Sequence, residues 1–141
     1  MILYYYMDFN ELRIKEGKYW DVFLHADQTV LGRIYLWYKD EHTIDLLDVP
    51  GKAFDELYDT AKQIRNALTT LWKPNLFNYL VLGNNTHHLH FHIIPRYEKP
   101  VEVFGLVFKD DSFGKSYKRN QDFIVDKDTL IQITNELRLK L

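Results

Sequence analysis

The sequence predicts an α+β fold: an antiparallel β-sheet with one long helix and a C-terminal helix packed on it. An apolar stripe at helical spacing follows Pro50, and two β-type runs at 77–82 and 88–94 are separated by a short turn. The predicted helices do not alternate one for one with strands, which favours local antiparallel pairing over a parallel sheet. The 141 residues are enough for a single domain over residues 1–141 with its own core.

The N-terminal third predicts a short helix followed by a hairpin. Asp8 or Asn10 can cap a helix over residues 8–16, because short polar side chains satisfy the first free amides of a helix. Residues 19–24 and 34–38 are rich in β-branched and aromatic side chains and therefore predict two strands.

The long helix is the clearest element, because its apolar positions recur at intervals of three and four residues between Pro50 and Pro74. A final helix is predicted over 128–141. Residues 95–120 are expected to be mostly irregular, with one short strand at 103–108. The predicted apolar stripe of the long helix consists of Phe54, Leu57, Ala61, Ile64, Leu68 and Leu71.

Composition narrows the class of protein. The formal net charge is −2, so no basic surplus indicates a nucleic-acid partner. The chain has no cysteine, which excludes a disulfide scaffold, a thiolate metal site and a cysteine nucleophile. The opening apolar run is too short to span a bilayer and lacks signal-peptide features, so no membrane contact and a cytoplasmic location are expected. No cofactor or metal is predicted.

Three histidines, His88, His90 and His92, carry the strongest chemical signal. On a strand, side chains alternate faces with period two, so these three imidazoles share one face and His87 points to the other. Such a row can be a solvated face, a zinc site or a covalent catalyst, since a neutral imidazole is both a metal ligand and a nucleophile. Half of the six histidines fall in this row, which argues against chance clustering.

The run His-Leu-His-Phe-His-Ile-Ile, followed by Pro95-Arg96, resembles the signature of the histidine triad (HIT) family. Residues 78–84 resemble a bacterial and archaeal branch in which a Gly-Asn turn leads directly into the triad. Segments 22–33, 39–42 and 113–117 are similar to further motifs of the family and occur in the family's order.

This resemblance implies a HIT-like nucleotide-binding α+β fold that forms two-fold homodimers. It implies hydrolysis or transfer of nucleoside monophosphates from dinucleoside polyphosphates or nucleoside phosphoramidates, through a covalent nucleotidyl-histidine. By the same resemblance, His90 is the nucleophile, His88 hydrogen-bonds within the triad and fixes ring orientation, and His92 contacts phosphate oxygens near the leaving group.

The resemblance also implies substrate contacts. Asn84, with Asn85 beside it, lies in the turn that carries an amide toward phosphate in family members. His25 stands where the family usually has an Asp or Asn on the ribose hydroxyls, so ribose recognition falls to His25 or to Asp27. His42 lies near a fourth histidine of some members, or it is a plain loop residue.

Two alternatives remain open from the sequence. The charged loop 109–121, which carries Lys115, Lys118 and Arg119, is either a lid or partner contribution at the site or a solvated surface loop. The protein is either a nucleotide hydrolase or transferase, or a nucleotide- or metal-binding module with little turnover.

Overall fold

The computed structural model describes residues 9–141. In that part of the chain, α1 spans Gly51–Trp72, α2 spans Lys127–Lys140, and short 3₁₀ helices occupy Phe9–Leu12 and Leu46–Asp48. The strands are β1 Arg13–Glu16, β2 Trp20–Leu24, β3 Ile34–Tyr38, β4 Leu76–Leu80, β5 His90–Arg96, β6 Val101–Val103 and β7 Leu106–Phe108.

Five strands form one antiparallel sheet in the order β1-β2-β3-β5-β4. Strands β6 and β7 form a separate hairpin. This architecture confirms the predicted α+β class. No helix within residues 9–141 combines the length and the apolar composition needed to cross a bilayer.

The core lies between one face of the sheet and the two helices. The long helix buries Leu57, Ile64 and Leu68, as its apolar spacing predicts, whereas Phe54 is 43% exposed. The helix also buries small side chains at Ala53 and at two further positions spaced by seven residues, and small side chains allow a close approach to the sheet. Those further small residues are Thr60 and Ala67.

The predicted N-terminal helix over 8–16 is wrong. Only residues 9–12 form a 3₁₀ turn, and Arg13–Glu16 pairs with β2 instead. Ile14 is buried between partly exposed neighbours, which is the period-two pattern of an edge strand rather than a helical stripe. The proposed cap Asp8 lies outside the described residues, and Asn10 lies within the 3₁₀ turn.

Two other boundaries differ from the prediction. The connection between β4 and β5 covers residues 81–89, so it is longer than a tight turn, and β5 begins only at His90. The region predicted to be mostly irregular contains a hairpin, β6 and β7, whose turn residues Phe104 and Gly105 both have positive φ. Successive positive φ values are typical of the turns that suit the twist of a hairpin.

Candidate active site

The histidine row lies on the face of the sheet opposite the helices. In the pairing of β3 with β5, Tyr35 lies opposite His92 and Trp37 lies opposite His90. His88 precedes the strand, but its ring stacks on Trp37 with 3.7 Å between centroids and 5° between planes. The fold therefore brings the three imidazoles together on an aromatic floor supplied by the neighbouring strand.

His90 has a defined tautomer. Its Nδ1 lies 2.7 Å from the main-chain carbonyl oxygen of His88. A carbonyl can only accept, so Nδ1 carries the proton in the neutral ring and Nε2 keeps its lone pair. The rings of His90 and His92 are 4.6 Å apart, so that lone pair is held beside a second imidazole.

His88 fixes the orientation of the row, and it does so through two groups. Its carbonyl accepts from His90, and its own Nε2 donates to the main-chain carbonyl of Tyr38. The sequence alone predicts a hydrogen bond within the triad, but not that the main chain of His88 would supply it. The stacking of the His88 ring on Trp37 also holds His88 in place.

His92 is held neutral. Only 8% of the residue is exposed, and its buried Nδ1 has no hydrogen-bond partner among the described residues. Burial lowers the pKa of His92 to about 4, and the charges of Arg33 and His90 act in the same direction. At neutral pH the free protein therefore presents His92 as an uncharged imidazole.

His90 and His92 line a cavity of about 230 Å³. Its aromatic walls suit a planar ligand, and the two histidines place reactive nitrogens at its edge. Tyr35 and Trp37 were not found by sequence reasoning, because their position depends on the pairing of β3 with β5. The other lining residues are Phe9, His25, Ala26 and Thr86.

The loop between β2 and β3 is built around Gln28. The side-chain amide of Gln28 donates to the carbonyls of His25 at 2.7 Å and Arg33 at 3.0 Å, and its oxygen accepts from the Gly32 amide at 2.7 Å. Gly32 has a φ of +89°, and a Cβ there would lie 2.5 Å from the Leu68 side chain. The loop therefore packs against α1, and the hydrogen bonds of Gln28 fix His25 and Arg33, the loop residues that line the two sides of His92.

His25 lies in the cavity wall, 6.1 Å from the His92 ring. Its Nδ1 accepts from the Asp27 amide at 3.0 Å, so the neutral ring carries its proton on Nε2. Burial, with the charge of Arg33, holds the pKa of His25 well below its usual range. His25 is thus an uncharged hydrogen-bond donor at Nε2.

Asp27, the alternative to His25 for the ribose contact, is not among the residues that line the 230 Å³ cavity. It is 3% exposed, and its carboxylate accepts from Arg33 at 2.7 Å, from the Thr29 amide and hydroxyl, and from the Tyr117 hydroxyl. Burial alone would raise the pKa of Asp27, but the hydrogen bonds from Tyr117 and Thr29 outweigh it and keep the pKa below its ordinary value. This ionised carboxylate ties the β2–β3 loop to the loop between β7 and α2, residues 109–126, which we call the C-terminal loop.

Asn84 and Asn85 are exposed on the β4–β5 connection, beyond Gly83, which has a φ of +61°. Of that connection it is Thr86, and neither asparagine, that lines the 230 Å³ cavity. His42 is exposed after β3, where its amide donates to the Asp40 carboxylate.

No group of three or more His, Cys, Asp or Glu side chains within residues 9–141 is arranged to hold a metal ion.

Comparison with known proteins agrees with this geometry. A model of the HIT domain matches residues 11–99. An uncharacterized HIT-like protein of Methanocaldococcus jannaschii is 34% identical over an alignment of 98 residues, which covers 50% of this chain and 76% of that protein.

Solved structures share the fold. A hypothetical histidine triad nucleotide-binding protein of Sulfolobus tokodaii superposes with a TM-score of 0.69 at 19% identity, covering 99% of this chain and 87% of that one. A zinc-bound histidine triad family protein of Mycobacterium smegmatis has a TM-score of 0.58 at 16% identity, covering 91% and 84%. Since the domain model spans more than half of the chain and includes the whole histidine row, this protein belongs to the HIT family.

Proposed function

We propose that this protein is a nucleotide hydrolase or nucleotidyl transferase that cleaves phosphoanhydride or phosphoramidate bonds through a covalent nucleotidyl-His90 intermediate. HIT family members are generally nucleotide-binding hydrolases or transferases, although some are not enzymes. The observation that carries the proposal is the 2.7 Å bond between His90 Nδ1 and the His88 carbonyl. It leaves Nε2 of a correctly oriented neutral ring free to attack.

In the proposed reaction, His90 Nε2 attacks the phosphorus of a nucleoside monophosphoryl group. A P–N bond forms, and the bond from phosphorus to the leaving atom breaks, with its electron pair departing on the leaving group. Water or another acceptor then attacks the same phosphorus, which breaks the P–N bond and frees His90. The Nδ1–H bond to the His88 carbonyl stabilises the positive charge that the ring carries while it is nucleotidylated.

His92 donates a hydrogen bond to phosphoryl oxygen in this proposal. As a neutral ring beside His90, it gains basicity once an anionic phosphate arrives, because opposite charge favours the protonated form. It can then pass a proton to the leaving atom.

The substrate contacts proposed here follow the wall of the cavity. His25 donates a hydrogen bond from Nε2 to a sugar oxygen. This is a single hydrogen bond, whereas a carboxylate could accept from two sugar hydroxyls at once. Asn84 and Asn85, on the exposed β4–β5 connection, remain proposed phosphate contacts. Asp27 holds the loop rather than the ligand.

The alternative is a nucleotide- or metal-binding module with little turnover. One observation favours metal binding: the histidine triad family protein of M. smegmatis, which shares the fold, is zinc-bound. An imidazole nitrogen binds zinc and attacks phosphorus with the same lone pair. The positions of the histidines therefore fit both functions, and a test of the reaction is needed to distinguish them.

The covalent intermediate is tested by mass spectrometry after brief mixing with an adenylyl donor. We expect a nucleotidyl adduct on the peptide that contains His90, both before and after treatment with EDTA and gel filtration. A covalent relay needs no protein-bound metal, whereas protons and chelators both compete for a zinc site. Loss of turnover on chelation, with recovery on zinc and not magnesium, would assign the row to a metal and contradict the mechanism.

We also propose a two-fold homodimer built on the β4 edge. Strand β4 has a neighbour on one side only, and Leu76 and Tyr79 on it are 44% and 45% exposed. An apolar groove of about 300 Å³ runs between this edge and α1 and includes Phe54 and Phe91. A second copy would cover both the unpaired backbone groups and the apolar groove.

Light scattering at micromolar concentration should therefore report twice the mass of the chain. Tyr79→Lys places a charge in the groove and should shift the protein toward monomer, whereas Val107→Lys on the separate hairpin should not. A wild-type monomer at every concentration refutes the dimer.

A further inference from the structure

A second cavity adjoins the first, and His92 forms part of the wall of both. It measures about 610 Å³ and lies beside the C-terminal loop that follows β7. We refer to it as the polar cavity. Its polar lining residues are Arg33, Asn78, Tyr79, His92, Lys115, Ser116 and Tyr117.

The polar cavity presents hydrogen-bond donors. Asn78, which lines the cavity, accepts from Arg96 Nη1 through Oδ1 at 2.8 Å, so the orientation of its amide is fixed and the NH₂ group is left as a donor. The buried Nε of Arg33 has no hydrogen-bond partner among the described residues. Lys115, an exposed residue with a cationic side chain, lines the same cavity.

Its charge is positive. Within residues 9–141 no carboxylate lines it. The nearby carboxylate of Asp27 accepts from Arg33, Thr29 and Tyr117, and that of Asp110 accepts from Arg96. Asp27 therefore compensates the charge of Arg33, and the uncompensated positive charge of the wall comes from Lys115. Such a wall suits an anion with several acceptor oxygens.

The wall is also preorganised. Arg96, which is 2% exposed, donates to the main-chain carbonyls of Lys115 at 2.9 Å and Ser112 at 2.7 Å. These bonds hold the backbone of the loop at Lys115 against β5, so a ligand would not have to order it. The loop predicted as either a lid or a solvated surface is anchored, and its residue Lys115 lines a cavity beside the histidine row.

We propose that the polar cavity binds an anionic leaving group, so that the preferred substrates are those in which a phosphate chain, rather than an uncharged amine, departs from the attacked phosphorus. This rests on the proposed function of His90. When His90 Nε2 attacks, the P–O bond to the bridging oxygen breaks and the departing polyphosphate keeps its electron pair. Lys115 and Asn78 are then specificity-determining residues on the leaving-group side of His92.

The test compares Lys115→Met and Lys115→Arg with wild type on two substrates that share a nucleoside, a dinucleoside tetraphosphate and a phosphoramidate with an uncharged amine. Lys115→Met should lower kcat/KM about tenfold for the tetraphosphate and leave the phosphoramidate within about twofold, since one charge-assisted contact is lost. Lys115→Arg should restore most of the loss. Inorganic tripolyphosphate should inhibit wild type more strongly than Lys115→Met.

Lys118→Met is the matched control, because Lys118 is an exposed lysine of the same loop outside the polar cavity lining. It should change neither substrate. Equal effects of Lys115→Met on both substrates, or none on either, overturn the leaving-group assignment while a His90 adduct still forms. If neither substrate gives an adduct on His90, the proposed function itself has failed.

Discussion

Replacing His90 with asparagine is expected to lower kcat by about three to six orders of magnitude while nucleotide binding persists. The asparagine side chain keeps an N–H that can donate to the His88 carbonyl, as Nδ1 does now at 2.7 Å. It lacks the nucleophilic nitrogen, so the covalent route is lost but the cavity shape is largely kept. The loss therefore falls on an interaction made only in the transition state.

The measurement is single-turnover kinetics together with calorimetric binding of a nucleoside monophosphate. His87→Asn is the matched control, because His87 is an exposed neighbour outside the lining of the cavity that holds His90. Turnover near that of wild type in His90→Asn contradicts the covalent assignment. A large loss in His87→Asn as well would indicate that the connection between β4 and β5 matters more than the nucleophile.

The parts of the fold that the sequence predicted are those with a clear local period. The stripe of α1 is visible because a helix repeats every 3.6 residues, and the β2 and β3 runs are visible because they are rich in β-branched and aromatic side chains. The prediction of a helix over 8–16 failed because it relied on a local signal, a possible cap residue. The conformation of residues 13–16 is decided instead by their pairing with β2, which a local pattern does not show.

The site was predictable only where it lies on one strand. His90 and His92 follow from period two along β5, but Tyr35 and Trp37 depend on a register that no local pattern records. The roles of His25 and Asp27 could not be separated for a similar reason. They are two residues apart in a loop, and only the contacts of Thr29, Arg33 and Tyr117 show which of them is occupied.

The structural role of Arg96 was also not predictable from the sequence. In the sequence it follows the histidine run and resembles the continuation of a family motif. In the fold it is a buried hub whose guanidinium holds Asp110 by two bonds of 2.7 and 3.1 Å. It also reaches Asn78, Ser112 and Lys115, and so connects the edge strand and the C-terminal loop to β5.

Arg96→Met is therefore expected to lower the free energy of unfolding by about 3–5 kcal/mol, because it leaves the buried carboxylate of Asp110 without its cation. Chemical denaturation monitored by tryptophan fluorescence measures the change. Lys52→Met, which replaces an exposed lysine of α1 outside the apolar groove, should stay within about 0.5 kcal/mol of wild type.

The double variant Arg96→Met with Asp110→Leu separates the charge from the packing. Removing both ionic partners leaves no unpaired buried charge, so the double variant should recover a large part of the lost stability. The bonds from Arg96 to Asn78, Ser112 and the Lys115 carbonyl stay broken in it, so the loop that carries Lys115 should remain loosely held. A loss below about 1 kcal/mol in the single variant would show that the loop is held by its apolar contacts instead.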